Sequence, residues 1–377
     1  SLRWWTQVIG VDGFRFDLAP ALNRTGNMID SALFAAIAAD PVLRQLKLIA
    51  EPWDISRYSL GEFQYPWREW NDYYRDAVRQ FWLGDIARGF GEGVSALASS
   101  ISGSSNIFYF RGPTTSINFI TAHDGFTMND LVTYHEKRNL ANEEDNRDGN
   151  NSNRSWNVGH EGPTNDLKIN QIRQSLQKSM MATLLLSSGV PMVTMGDEVG
   201  RTQHGSNNAF TVPIDLNRDN WDKEIAWFGG WTLDWNPTGD KKDLQDAFIE
   251  LIRIRKTYLS DITSEFFTGR VDFGTERKDI AWFSLSGNEM NDAHWSDGDK
   301  RSLTVFFEAG PNTGLVLLMN SFGEETTFTL PGSAWGEGMR CIFDSFETTA
   351  IYNPALAAPG DKVQVSPHSL QVWLVNR

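Results

Sequence analysis

The stretch VDGFRFD, residues 11–17, contains the first of four short apolar segments that lack the alternating pattern of a half-exposed strand. The other three are residues 46–50, 117–122 and 190–195. Segments of this length that are apolar on both faces are typical of strands buried in a parallel sheet. Apolar residues recur at helical spacing in two longer stretches, residues 172–184 and 244–252. Strands that alternate with helices predict βαβ units.

The pattern changes after Tyr258. Short apolar segments now follow one another between turns rich in Gly, Asn, Asp and Pro, and no long helical stripe separates them; they are Ile280–Leu285, Leu303–Phe307, Leu315–Met319 and Gln371–Val375. Such spacing is typical of an antiparallel sandwich. The sequence therefore predicts an α/β region over residues 1–259 and an antiparallel β-sandwich over residues 260–377.

Composition excludes several classes of function. The 377 residues carry 34 Lys and Arg against 48 Asp and Glu, a net charge of −14, which disfavours binding to nucleic acid. No apolar run approaches the roughly 18 residues that a membrane span needs. The single cysteine, Cys341, agrees with a reducing compartment, and we expect a cytoplasmic protein. The 15 Trp residues fit either a core or a surface that packs against sugar rings.

Three of the buried segments end in a carboxylate: Asp17, Glu51 and Asp124. One acid at a strand end is ordinarily a cap or a turn former. Three at equivalent ends of parallel strands predict a shared cleft, because those ends converge in a barrel. Paired carboxylates are what glycoside hydrolysis requires, and a retaining mechanism places them about 5–5.5 Å apart.

The neighbours of these acids differ in a useful way. Arg15 precedes Asp17 by two residues, so both side chains lie on one face of the strand, and the guanidinium favours the ionised carboxylate that a nucleophile needs. Glu51 is flanked by Ala50, Pro52 and Trp53, an apolar setting expected to raise its pKa towards that of a general acid.

Several motifs resemble a known family. VDGFRFDLA, LIAEPWD and FITAHDGF resemble conserved regions of the α-amylase superfamily of (β/α)8-barrel glycoside hydrolases. Four longer stretches resemble its isoamylase and bacterial glycogen-debranching branch: residues 40–54, 69–82, 121–151 and 196–210. The resemblance implies an α/β fold, namely the C-terminal part of a (β/α)8 TIM-type barrel followed by an all-β sandwich domain.

The resemblance also assigns roles by position. It makes Asp17 the nucleophile, Glu51 the acid/base and Asp124 the stabiliser of the transition state. It implies further substrate-binding residues, which are Arg15, His123, Trp53, Gln203, His204, Asn207 and Asn208. Trp53 is a candidate platform for a sugar ring, although a core position is the alternative. Asp197 and Glu198 receive only a supporting place.

Two departures from the family pattern stand out. The family's first conserved region, an Asp and a His on the third barrel strand, is absent, so the motifs correspond to strands four, five, seven and eight with EWND as a short sixth. Because a barrel without three strands has open edges, we expect an N-terminal segment or another chain to complete it. After Phe210 the family continues Cys-Gln-Asp-Asn, whereas this chain reads TVPID over residues 211–215.

The predicted function is hydrolysis of α-1,6 branch linkages in glycogen-type or amylopectin-type α-glucans. A pullulanase-like or α-1,4-acting enzyme, and a non-catalytic or truncated glucan-binding subunit, remain alternatives. The Asn- and Asp-rich segment Asn139–Asn157 is either a solvated loop or a substrate contact. Its acids do not match a calcium-loop spacing, so no metal is predicted, and no cofactor is expected.

Overall fold

The computed structural model describes residues 1–23, 31–89, 91–209, 233–259, 264–271, 274, 276–310, 312–349 and 354–376. Its first region is built on a five-stranded sheet in the order β1-β2-β3-β4-β5. The strands are β1 Gly13–Phe16, β2 Lys47–Ala50, β3 Arg68–Asn71, β4 Ser116–Asn118 and β5 Val190–Pro191. Every neighbouring pair is parallel. The four segments predicted as buried strands are therefore present in shortened form, and EWND contributes to β3.

Helices fill the connections between the strands. The α-helices among the described residues of the α/β region are α1 Leu2–Trp4, α2 Ala32–Ala39, α3 Asp72–Arg79, α4 Asp85–Arg88, α5 Ser95–Ile101, α6 Ser105–Phe108, α7 Met128–Leu131, α8 Leu167–Leu186 and α9 Asp240–Tyr258. Helix α8 begins at the N-cap Asp166, whose carboxylate accepts the amides of Lys168 and Ile169. The two long helical stripes of the sequence are thus α8 and α9.

The second region is antiparallel. Its larger sheet has six strands in the order β11-β10-β13-β8-β7-β6, and β9 pairs with β12 in a second sheet. The strands are β6 Ile280–Phe283, β7 Ser302–Gly310, β8 Thr313–Asn320, β9 Thr326–Thr329, β10 Gly338–Asp344, β11 Leu356–Ala357, β12 Lys362–Val365 and β13 Ser369–Asn376. A short helix, α10 Asp292–Trp295, lies between β6 and β7. Strands β9, β10 and β12 were not predicted because polar residues interrupt them, and β11 was not predicted because it is only two residues long.

Two apolar cores stabilise this arrangement. One lies between the two antiparallel sheets and includes Phe306, Phe328 and Trp373. The other joins α8 and α9 to the opposite face of the larger sheet, so that Leu176 and Leu251 belong to the same cluster as strand residues of the second region. The buried Lys178 of α8 connects the two regions: its Nζ lies 2.5 Å from Asp243 Oδ2 of α9 and 2.9 Å from the Glu347 carbonyl of the second region. The predicted boundary at residues 259 and 260 stays a prediction, since residues 260–263 lie outside the described part and a core is shared across it.

The parallel sheet has two edges. Within the described residues, β1 pairs with β2 and β5 pairs with β4, and neither has a second neighbouring strand. The N-terminal helical segment carries four large exposed apolar side chains: Trp4, Trp5, Val8 and Ile9. In the part of the chain that the structure describes, no helix is long and apolar enough to cross a membrane.

Candidate active site

Asp17 and Glu51 each follow the last residue of a strand, Asp17 after β1 and Glu51 after β2. The two strand ends are tied together, because the Glu51 amide donates to the Phe16 carbonyl at 3.0 Å. The Glu51 carbonyl in turn accepts the Ala19 amide at 3.0 Å. Between them, Leu18 has the left-handed φ of 41° and donates its amide to Glu51 Oε2 at 2.7 Å. Leu18 thus adopts an unfavourable backbone conformation in which its amide donates a hydrogen bond to Glu51, the predicted acid/base.

A single guanidinium joins the two carboxylates. Arg15 Nη1 lies 2.5 Å from Asp17 Oδ1, and Nη2 lies 3.0 Å from Glu51 Oε2. The guanidinium carbon sits 4.2 Å from the ring centroid of Trp70, a residue of β3. The planar fork and its stacking on an aromatic ring are properties that lysine lacks. Arg15 therefore fixes both carboxylates relative to β3.

The two carboxylates have opposite environments. The Asp17 side chain is 68% exposed and that of Glu51 is 7% exposed. Burial raises the pKa of Glu51 above its ordinary value, and the nearby Asp17 adds to the increase; the Leu18 amide and Arg15 oppose it. The direction agrees with the expectation from the apolar flanking sequence. Burial keeps Glu51 protonated to higher pH, which suits a general acid.

Asp124 and His123 lie in the loop that follows β4. Glu51, His123 and Asp124 all line one open cleft of about 440 Å³. Asp17 is not among the residues that line it, but it is joined to Glu51 through the Arg15 guanidinium. His123 Nε2 is 3.4 Å from Asp124 Oδ2, and both side chains are more than half exposed. The His123 ring lies 5.9 Å from that of Trp70. The structure therefore brings the three predicted catalytic acids to one region.

Several cleft residues were missed by the sequence analysis, and most follow β3. They are Trp70, Asp72, Arg75, Arg79 and Phe119. Asp72 comes directly after β3, as Asp17 comes after β1, and its Oδ1 accepts a hydrogen bond from the Tyr58 hydroxyl at 2.8 Å. Applying the strand-end rule to EWND would have found it. The others carry no signal in the sequence, because their place in the cleft depends on how the strands assemble.

The remaining predicted binding residues divide into two groups. Trp53, Asn207 and Asn208 line the cleft. Gln203 does not: it is buried, and its amide donates to the carbonyls of Gly125 and Ser206. His204 faces a different cavity, of about 370 Å³, beside α8 and α9. The structure thus gives Gln203 and His204 no place in the cleft, and Gln203 holds the loop through its two hydrogen bonds.

The Asn- and Asp-rich segment also reaches the cleft. Gly149, Asn150 and Asn153 form part of its wall. Lys137 Nζ holds the loop by donating to three consecutive carbonyls, of which that of Asp148 is nearest at 2.6 Å. The position of this loop favours the substrate-contact interpretation over that of a purely solvated loop. Residues 211–215, the predicted departure in the cleft wall, lie outside the described residues.

Asp197 has a structural environment. It is fully buried, and it accepts hydrogen bonds from the Thr121 hydroxyl and, at 3.0 Å, from the Met128 amide. Burial raises its pKa to about 6. Glu198 Oε2 accepts the Gly196 amide at 2.7 Å. Both contacts agree with the supporting place that the resemblance gives these two acids.

Comparison with known proteins gives the same answer as the motifs. The chain is 40% identical over 356 residues to a protein of Mycobacterium tuberculosis described as a glycogen operon protein GlgX homolog, and the match covers 89% of this chain and 47% of that one. It is 38% identical over 340 residues to the glycogen debranching enzyme of Erwinia tasmaniensis, with 89% and 47% covered. The chain is homologous to bacterial glycogen-debranching enzymes. The resemblance found in the motifs is thereby confirmed.

Solved structures show the same fold at low sequence identity. The chain matches type I pullulanase of Bacillus subtilis with a TM-score of 0.60 at 18% identity, covering 99% of this chain and 45% of that one. It matches the PulA structure from Klebsiella oxytoca with a TM-score of 0.60 at 17% identity, covering 100% and 39%. No family model matches the chain. The chain spans about half the length of the curated relatives it matches.

Proposed function

We propose that this chain carries the catalytic acids of a retaining glycoside hydrolase that cleaves α-1,6 branch linkages in glycogen-type or amylopectin-type glucans. The observation that carries the proposal is the pair formed by Asp17 and Glu51. One carboxylate is exposed and the other is buried with a raised pKa, and both contact the same Arg15 guanidinium. A retaining glycosidase needs this division between a nucleophile and an acid.

In the proposed reaction, protonated Glu51 gives its proton to the glycosidic oxygen of the leaving chain. Asp17 attacks the anomeric carbon, so that the carbon–oxygen bond to the leaving chain breaks as the bond to Asp17 forms. Glu51, now ionised, takes a proton from water, whose oxygen displaces Asp17. Asp124 and His123 bind hydroxyl groups of the ring as positive charge develops. Trp53 provides apolar surface for a sugar face.

The proposal includes a completed barrel. We assign β1 to β5 to strands four to eight of a (β/α)8 barrel, on the motif order and the parallel order of the sheet. The open edge of β1 and the exposed Trp4, Trp5, Val8 and Ile9 favour a further segment or chain that packs against this side. The relatives' extra length is compatible with such a segment. A cytoplasmic location, with Cys341 reduced, remains part of the proposal.

The proposal is tested with the polypeptide that includes any completing segment, supplied with glycogen, amylopectin, pullulan and linear amylose. Release of linear chains from the branched glucans, seen as new reducing ends and a longer iodine-staining wavelength, is the expected result. Glu51→Gln should slow it by roughly 10²- to 10⁴-fold, whereas Glu325→Gln, the same change at an exposed site in the second region, should not slow it. Rapid cleavage of amylose would indicate an α-1,4 enzyme, a preference for pullulan a pullulanase-like one, and glucan binding without cleavage a non-catalytic subunit.

A further inference from the structure

Asn207 belongs to a group of buried asparagines that connects two loops of the cleft. Asn207 is 2% exposed, and two hydrogen bonds join it to Asn139. Asn139 Nδ2 donates to Asn207 Oδ1 at 2.7 Å, and the backbone N–H of Asn207 donates to Asn139 Oδ1 at 3.0 Å. Asn207 Nδ2 donates to the Asn150 carbonyl at 2.7 Å and to Asn153 Oδ1 at 2.9 Å. We call Asn139, Asn153 and Asn207 the asparagine clasp.

These bonds use the donors that a sugar would need from Asn207. An asparagine amide has two N–H donors, and both are directed to protein oxygens here. Its Oδ1 already accepts from Asn139, and Gly149 packs so closely that an added Cβ would lie 2.2 Å from this oxygen. The Asn207 side chain therefore lines the cleft, but its Nδ2 and Oδ1 atoms form their hydrogen bonds with residues of the protein.

The clasp reaches the predicted stabiliser of the transition state through the backbone. The Asn207 carbonyl accepts the amide of Gly125 at 2.9 Å, and Gly125 is the residue directly after Asp124. On the other side, Asn153 is fixed by its carbonyl, which accepts Arg79 Nη1 at 3.1 Å. Arg79 also donates twice to the Ile120 carbonyl, in the segment that leads to Asp124. Both ends of the Asp124 loop are thus connected, through Asn207 and Arg79, to the cleft-lining residues Asn150 and Asn153.

We propose that Asn207 is a positioning residue that sets the place of Asp124 and of the wall formed by residues 149–153. This assignment replaces direct substrate binding as the role of Asn207, and it rests on the proposed function of the cleft. The physical basis is that loops hold a reacting geometry only where hydrogen bonds over-determine them. A misplacement of about 1 Å can cost roughly a hundredfold in rate.

The test uses Asn207→Asp, which keeps the size and the oxygen facing Asn139 but replaces both N–H donors by an oxygen. We expect kcat on branched glucan to fall about 10- to 100-fold while KM changes by less than about threefold. Amide hydrogen exchange should become faster in peptides covering residues 139–153 and 121–126. The matched control is Asn312→Asp, the same change at an exposed turn between β7 and β8, which should alter neither measurement.

A second route to the same loop guards against a variant that fails to fold. Gly149→Ala meets Asn207 Oδ1 from the other side and has a φ of +71°, so it should accelerate exchange in the same two peptides. A raised KM with unchanged kcat and unchanged exchange would overturn the proposal and make Asn207 a substrate ligand. If wild type cleaves no glucan, the proposed function fails. The exchange measurement still decides the clasp in that case: slow exchange in wild type and fast exchange in both variants supports it, and equal exchange refutes it.

Discussion

The parallel and antiparallel regions use their strands for different purposes. Strands β1 to β5 are two to four residues long, and acids follow directly after three of them. Strands β7 and β8 are nine and eight residues long, and six residues of β7 and seven of β8 are buried. Because the parallel strands are short, the loops that follow them begin close to the sheet. Polar side chains from several parts of the chain therefore meet at the carboxyl end of the sheet. Long buried strands remove apolar surface from water, which is the main source of stability.

This difference separates chemistry from stability along the chain. Glu51, Asp72 and Asp124 line one cleft, and Asp17 is joined to Glu51 through Arg15. Carboxylates that are buried or close to one another cost free energy of folding. The larger antiparallel sheet offsets that cost, because it shares one core with α8 and α9 of the α/β region. Substitutions at the strand ends should therefore change activity far more than stability, and substitutions in the antiparallel core should do the reverse.

The largest effect is expected at the strand ends. In the polypeptide that includes any completing segment, Glu51→Gln should lower kcat by roughly 10²- to 10⁴-fold because the leaving oxygen loses its acid. Asp17→Asn should lower it further, since no covalent intermediate can form. Both should change the free energy of unfolding by about 1 kcal/mol or less, as measured by urea titration. A large loss of stability with normal turnover would contradict the division between the two regions.

The converse change is Phe306→Ala in the core between the antiparallel sheets. Phe306 is fully buried, and its ring lies 4.9 Å from that of Trp335. Removal of the ring should lower the free energy of unfolding by about 3–5 kcal/mol. Turnover per folded molecule should stay near wild type. Leu356→Ala, at a side chain that is 80% exposed, is the control and should cost about 0.5 kcal/mol or less.

The two regions were also unequally predictable from sequence. The unbroken apolar segments marked β1, β2, β4 and β5, and a strand-end rule located Asp17 and Glu51 without coordinates. Asp72, the last residue of EWND, also follows a strand directly, but EWND lacks the unbroken apolar run that marks the other strands. The sequence could not show that the side-chain amides of Gln203 and Asn207 donate to protein oxygens. The polar residues predicted in this loop look alike in sequence, and only the folded surroundings decide which of them bond to protein and which face the cleft. Strands β9 and β12 were missed because each exposes one face.

Substitution of Arg15 tests how the two carboxylates are positioned without removing either of them. Arg15→Lys keeps the charge but loses the fork that contacts both carboxylates and the stacking on Trp70. We expect kcat/KM on branched glucan to fall about 10- to 100-fold. Arg15→Met also removes the charge, which lowers the pKa of Glu51 in wild type. The high-pH limb of the kcat/KM profile should therefore move to higher pH in Arg15→Met, and an unmoved limb would show that Glu51 does not set it.

The smallest effect concerns stability and pH, and it can be measured without any substrate. The pKa of Glu51 is raised in the folded protein above its ordinary value of 4.5, with burial as the main cause. The folded state therefore binds this proton more tightly than the unfolded state, and the contribution of Glu51 to stability falls as pH rises from about 4.5 through the folded pKa.

The side chain in Glu51→Gln cannot ionise, so this variant should lack the loss of stability. Urea unfolding of both proteins at several pH values should show wild type becoming less stable relative to Glu51→Gln as pH rises. Parallel curves would mean that Arg15 and the Leu18 amide fully compensate the burial of Glu51. The contrast between a buried acid and an exposed nucleophile would then not be needed to explain the site.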